Sequence, residues 1–509
     1  MSLFRLVRTA FLTGLAVLAG GCAGERDDGI TDIAFMEAGD DLMADGVRLS
    51  YAQAHVRAAT EQGLVTLDAE GQVVPAIAER WIVTDDGESY IFRLRDIELA
   101  GEAGRDGDNG PDARRLTAAE VRDALLSAIR RLDGTSMGRD LAKIRDIRAM
   151  TGRVVEVRLR SAMPGLLQLL AQPELALAIP GVQLGPMTAR AEDGHVVLDA
   201  VRPMLRGLPE QADWDEMVRP LRVYGATAEE AVRGFYDGRY DVVMGGTIAT
   251  LPLADTGPLS RGTVRVDSTV GLFGLDIRSA EGFLAEAATR QALSRAIDRD
   301  VLMEPFNLGG WTATTRLVPP TSYDGFYDGA TAGAAGERWP NEDMTARRAP
   351  LQSAAQAWRA ANGEPARLRL FLPEGPGATI LLDGLREQLN IAGVQIEAID
   401  TPAQADLVLR DRAARYASPR WFLNQFACEL ARRLCSSNTD FLVELAADTE
   451  GPDQQESYLL EAEYALLAEE RFVPIGQPIR WALVRSGVEG FAENPWGWHP
   501  LFPFARAPI

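Results

Sequence analysis

Lysine is almost missing from this 509-residue chain: among 52 basic residues, Lys143 is the only lysine. A GxxxxGK phosphate loop or a Schiff-base lysine therefore has nowhere else to sit, and nucleotide hydrolysis is excluded. Histidine and cysteine are as scarce, at three each: His55, His195 and His499, Cys22, Cys428 and Cys435. Two thiols without nearby histidines do not complete a tetrahedral zinc set, so no metal is expected. There is no HExxH pair. The acid pairs Asp27-Asp28 and Asp85-Asp86 are sequence neighbours, which rarely converge on one substrate, and Asp-Asp-Gly reads better as a turn. His195 follows Gly194 at a turn and His499 sits in Trp496-Gly-Trp-His-Pro500, so both read as structural or surface groups. The expectation is a protein that is not an enzyme and carries no cofactor. Positive charge is also in deficit, with 73 acidic side chains against 52 basic and a net charge of −21. Such a field repels phosphate backbones, which excludes nucleic acid as a partner.

What is present first is an export signal. Residues 1 to 22, MSLFRLVRTAFLTGLAVLAGGC, place Arg5 and Arg8 ahead of an uncharged apolar stretch from Thr9 to Ala19 and small residues before Cys22. The stretch is shorter than the roughly 20 residues a lasting membrane helix needs, so 1–21 reads as a cleaved signal peptide. Ala19-Gly-Gly-Cys22 is similar to a bacterial lipobox, with Ala19 where leucine is usual; this implies lipidation at Cys22 and a membrane anchor, against plain cleavage beside an incidental cysteine. Cleavage removes Arg5 and Arg8 and takes the formal balance from −21 to −23. Cys428 and Cys435 then remain as an even, closely spaced pair in an oxidising compartment, which predicts a local disulfide. No later stretch is apolar for 18 residues; the richest, Met163 to Met187, is broken by Glu174 and by Pro164, Pro173 and Pro180.

Along the mature chain the local signals alternate between α and β. Asp86-Gly87 between two β-rich runs predicts a hairpin pairing Trp81–Val83 with Tyr90–Leu94. Thr117-Ala-Ala-Glu120 has capping-box spacing and opens an amphipathic helix carrying Val121, Leu125, Ala128 and Leu132 on one face. Val155, Val157 and Leu159 alternate with charged residues as in a half-buried strand. A second capping box, Thr227-Ala-Glu-Glu230, opens a helix toward Tyr236, followed by strand Tyr240–Met244. Leu368–Phe371, a helix from about Thr379 to Asn390, and Val394–Ile399 have the order of a βαβ crossover, with Leu407–Leu409 as a further strand.

The order of these signals resembles the extracytoplasmic solute-binding proteins of family 5, the peptide, dipeptide and nickel receptors of ABC importers. Gly63-Leu-Val, Val74-Pro-Ala-Ile-Ala-Glu-Arg-Trp81, Asp85-Asp-Gly87 and Tyr90-Ile-Phe-Arg-Leu-Arg95 match that family's "GL … P-LAE-W … DG-TYTF-LR" signature. Thr117 to Leu125, Leu184-Gly-Pro186, Gly238-Arg-Tyr-Asp241 and Arg290-Gln-Ala-Leu-Ser-Arg-Ala-Ile-Asp-Arg299 are similar to its later motifs. The resemblance implies an α/β, bilobal periplasmic-binding-protein-like fold of type II, with mixed sheets, flanking helices and an extra domain in the first lobe. The implied layout is a first segment of lobe I over 22–62, the extra domain over 63–177, a second segment of lobe I over 178–274, lobe II over 275–479 and a return to lobe I over 480–509. It further implies a monomeric, periplasmic or envelope-anchored receptor that encloses a peptide-like or anionic solute between hinged lobes and delivers it to an ABC permease complex. The competing reading is a degenerate member that serves as an envelope sensor or scaffold without transport.

One segment departs from the family in a way that bears on the ligand. Peptide-binding members carry "W-ADY … P--FLN", whose aspartate pairs with the peptide ammonium group; here the segment is Arg412-Ala-Ala-Arg-Tyr-Ala-Ser-Pro-Arg-Trp-Phe-Leu-Asn424. Arg415 replaces the acid and Arg412 the aromatic, so an ammonium group would be repelled where it was attracted. Two readings follow: Arg415, with Arg412, addresses a carboxylate or other anion, or both arginines lie on a solvated face or pair with a neighbouring acid. Tyr416 and Trp421 are expected either to line the same cleft or to fill the core.

Overall fold

The structure is a computed structural model that describes residues 29–39, 41–43, 46–99, 114–179, 182–254, 262–278, 280–323, 336–430 and 434–507. The signal segment, Cys22 and the Asp27-Asp28 pair lie outside the described residues.

Local chemistry sets the elements. Thr117 caps helix Ala118–Arg131 and Thr227 caps helix Ala228–Tyr236, each with the reciprocal Glu contact of a capping box. Strands Ala78–Val83 and Ser89–Leu94 form the antiparallel hairpin with Val83 opposite Tyr90, and the turn is closed by Gly87 at φ +69°. Strand Ala366–Phe371, helix Pro376–Ile391 and strand Val394–Ala398 make a parallel βαβ unit in which Leu368 faces Ile396.

These elements assemble around three sheets. The first has seven strands in the order Met187–Glu192, His195–Ala200, Leu221–Ala226, Thr31–Met36, Val242–Gly246, Ile479–Val484 and Val264–Ser268. Its centre is parallel, with Thr31–Met36 between Leu221–Ala226 and Val242–Gly246. The second sheet has five strands, Val394–Ala398, Ala366–Phe371, Leu407–Ala413, Gly271–Ile277 and Phe472–Gly476. A third, four-stranded antiparallel sheet contains the hairpin with Val154–Leu159 and Ile144–Met150, and it is covered by helix Ala118–Arg131. The fold is thus mixed α/β with separate sheet-centred bodies, as the sequence predicts.

The chain passes from the first sheet to the second between Ser268 and Gly271 and returns between Gly476 and Ile479. The expected boundary at 274 therefore cuts through strand Gly271–Ile277 and must move upstream. All seven residues of that strand are buried. A run buried on both faces has no polar alternation to show which sheet it joins. Strand Leu407–Ala413 is also longer than expected, because Arg410 and Arg412 interrupt the apolar pattern without ending the ladder opposite Gly271–Ile277.

The bodies are packed together. One hydrophobic cluster joins Phe92, Val121, Leu166 and Leu170 near the third sheet to Tyr416, Trp421, Phe422 and Leu466 beyond the second. Cys428 and Cys435 are joined by a disulfide, with Cα atoms 4.8 Å apart. No helix among the described residues is long and apolar enough to cross a membrane, and none of their His, Cys, Asp or Glu side chains cluster as a metal site.

Candidate functional site

Strand Leu407–Ala413 and the turn that follows it form one wall of a cleft between the sheet bodies. Residues two apart on a strand face the same way, so Arg410 and Arg412 point to one side. Three cavities lie along this wall. The largest, about 590 Å³, is bounded by Arg410, Arg412 and Arg415 on one side and by Val47–Leu49 and Gly134–Met137 on the other. A second, about 380 Å³, shares Leu49, Arg412 and Arg415 with it and reaches Tyr51, Arg480 and Trp498. A third, about 310 Å³, shares Arg410, Gln425 and Leu430 with the largest and reaches Arg278 and Arg471.

The arginines of this wall have different partners. Arg415 forks onto the buried Glu174, at 2.5 and 3.0 Å, and also donates to Gln172 Oε1 at 2.9 Å. Arg410 donates to Asp276 Oδ2 at 2.8 and 2.5 Å. Arg480 donates to Asp411 Oδ1 at 2.6 Å. Arg412 is bound only to a neutral acceptor among the described residues, Gln425 Oε1 at 2.6 Å. Gln425 is in turn fixed by its side-chain Nε2–H, which donates to the Trp421 carbonyl at 3.0 Å.

Arg412 is also exposed, yet its open surface gives onto two of the cavities. The surrounding protein and the neighbouring Arg415 and Arg410 lower its pKa to about 10, which leaves it charged at neutral pH. Charge surplus is general along the cleft. The largest cavity is lined by four arginines, including Arg48, against Glu174 and Glu429, within a molecule of net charge −21. An anion entering this space meets a guanidinium that no carboxylate among the described residues pairs directly, although Glu174 and Asp140 act on it from further away.

The structure thus brings Arg412 and Arg415 together at the cleft, with Arg415 already ion-paired. Tyr416 and Trp421 do not line these cavities. Tyr416 is fully enclosed with its ring packed on Gly165, and Trp421 is 1% exposed and edge-on to Phe422 at 4.9 Å. The expectation that they face a ligand is corrected: both are core. Tyr416 precedes and Trp421 lies within helix Pro419–Asn424, which is wholly buried and whose Asn424 donates to Asp140 Oδ1 at 2.5 Å across the body interface. Sequence reasoning missed Arg410, Arg480 and Gln425. The period-two placement of Arg410 with Arg412 was the available signal for the first; Arg480 has none, because its partner Asp411 lies 69 positions away, and no local pattern marks Gln425 as a partner of Arg412.

The histidines have structural roles. His499 Nε2 meets Asp267 Oδ2 at 2.9 Å in a buried contact. His55 stacks on Trp498 with centroids 3.9 Å apart, and burial lowers its pKa to about 3, so it is neutral. His195 is stacked on Tyr224 at 5.0 Å.

No family model matches the chain. Over 129 residues it is 33% identical to the probable deoxycholate-binding periplasmic protein YgiS of Escherichia coli, a match covering 22% of this chain and 23% of that protein. Over 488 residues it is 24% identical to the probable di/tripeptide-binding protein 5 of Pseudomonas aeruginosa, covering 85% of this chain and 87% of that one. Among solved structures, the murein tripeptide-binding protein MppA of Escherichia coli superposes with a TM-score of 0.74 at 16% identity, over 94% of this chain and 98% of that one. The unliganded open form of MppA gives only 0.60, at 16% identity over 93% and 96%. The chain therefore has the two-lobed α/β fold of the periplasmic peptide-binding proteins.

Proposed function

We propose that the protein is an extracytoplasmic solute-binding receptor that captures an anionic small molecule in the cleft and passes it to an ABC permease. One lobe is centred on the seven-stranded sheet together with the four-stranded extra domain, the other on the five-stranded sheet. The two crossings at 268–271 and 476–479 are short enough to act as a hinge, and lobe closure around the solute is the mode of capture. Lipidation at Cys22 after removal of 1–21, and a monomeric state, complete this reading. It supposes no bond-breaking chemistry; the work is selective binding in a space that excludes bulk water.

The observation that carries the proposal is Arg412. It is a charged guanidinium facing the cleft, held in place by Gln425 through one nitrogen and in direct contact with no carboxylate among the described residues. The Arg415–Glu174 pair supports the same choice of ligand from the other side. Where peptide receptors of similar sequence pattern carry a free acid, this chain has a cation that is already neutralised, so nothing at that position invites an ammonium group. Isothermal titration of small carboxylates into the purified protein tests the reading. Arg412→Ala is expected to weaken the best-bound anion by about 10-fold or more, the usual consequence of losing a charge-assisted contact. Unchanged affinity for every anion that binds would refute it.

A further inference from the structure

Beyond Arg412 the cleft continues into the 310 Å³ cavity, and three adjacent strands deliver its charge. Arg410 lies on Leu407–Ala413, Asp276 and Arg278 at the end of Gly271–Ile277, and Arg471 immediately before Phe472–Gly476, where Ile277 donates to its carbonyl at 2.9 Å. Three arginines thus face one carboxylate lining the same space. Asp276 is taken by Arg410 and lies 3.8 Å from Arg278. Arg471 is 8% exposed; its Nη2 pairs with Glu469, while its Nε and Nη1 are buried with no hydrogen-bond partner among the described residues. An enclosed guanidinium with two idle nitrogens costs stability unless something accepts from their N–H groups. The side of the cavity nearer the main cleft is formed by Arg410 and Gln425, the latter being the residue that holds Arg412.

The geometry points to a second anion subsite at Arg471 and Arg278, and hence to an elongated dianion as the ligand: one carboxylate or phosphate at Arg412, the other reaching past Gln425. This rests on the reading of the cleft as an anion receptor and adds the ligand's second charge and its length. Arg410, spent on Asp276 and stacked over Phe426 at 4.8 Å, fixes the passage between the two positions.

Titration of the purified protein with α,ω-dicarboxylates from succinate to azelate, and with monocarboxylates of equal length, tests the proposal. One dicarboxylate of the series should bind about 10-fold or more tighter than its monocarboxylate, as a second charge-assisted fork would give. Arg471→Ala should abolish that preference while leaving monocarboxylate affinity unchanged; Arg412→Ala should weaken both. Arg278→Ala, on a side chain open to solvent, carries the same prediction in smaller measure if Arg471→Ala does not fold. No dicarboxylate preference, or a preference that survives both Arg471→Ala and Arg278→Ala, overturns the second subsite, and a remaining dependence on Arg412 would leave the receptor reading standing. Inorganic phosphate supplies the other arm. Phosphate that binds alone, is lost in Arg471→Ala and does not compete with the dicarboxylate would overturn the proposal by showing a separate anion site.

Discussion

Lys143 shows how strongly a single residue is shaped by its place. Its ammonium group is buried between the third sheet and the helices that follow Asn424, donating to the Ala162 carbonyl at 2.8 Å. Burial, with Arg420 and Arg160 nearby and only partial compensation from Asp448 and Glu88, lowers its pKa to about 7. In the unfolded chain the same group titrates near 10.4. Between those values the unfolded chain holds a proton that the folded one has released, so the penalty is complete below pH 7 and is relieved as pH climbs toward 10. Lys143→Met should therefore stabilise the protein at pH 7 by on the order of 2 kcal/mol. Urea unfolding at a series of pH values checks this, and the advantage of the variant should shrink steadily between pH 7 and 10. The contrast with Arg412 is instructive. Arg412 keeps its charge through the physiological range, because guanidinium starts about two units higher and its surface opens onto the cleft.

At the scale of elements, helix Pro419–Asn424 is the joint between the bodies. Pro419 opens it and Ser418 caps it, and all six of its residues are buried. The preceding Tyr416 packs so tightly that a Cβ built on Gly165 would lie 2.5 Å from its ring. Gly165→Val is expected to cost about 1–3 kcal/mol through overpacking. Because the contact joins the two bodies, the cost should fall on the closed form: a lower melting temperature and a larger radius of gyration by small-angle scattering. This joint also marks what sequence can convey. The hairpin, the two capping boxes and the βαβ unit were legible because each is fixed by residues a few positions apart. Tyr416 and Trp421 were ambiguous, since an aromatic in a core and one in a cleft look alike until their neighbours from Gly165 and Asp140 are known. The ion pair of Arg415 was legible only as one of two options, because Glu174 lies 241 positions away. Gly271–Ile277 gave no sign of its sheet, hence the misplaced boundary.

For the whole molecule the governing fact is a reversal of sign. A chain with 21 more acidic than basic residues gathers arginines along one strand and turns them into an enclosed space. The outer field discourages phosphate polymers and anionic surfaces, whereas the proposed guest is a small anion able to shed its water in the cleft. The seven-stranded sheet takes strands from both ends of the chain, so the two connections it shares with the five-stranded sheet run side by side, as a hinge requires. The central claim is that this cleft carries an acidic guest. Native mass spectrometry of the purified protein tests it most directly: the account predicts a small acidic molecule that travels with the wild-type protein and is lost from Arg412→Ala, whereas a wild-type protein with an empty mass, or a guest that survives the substitution, would contradict it.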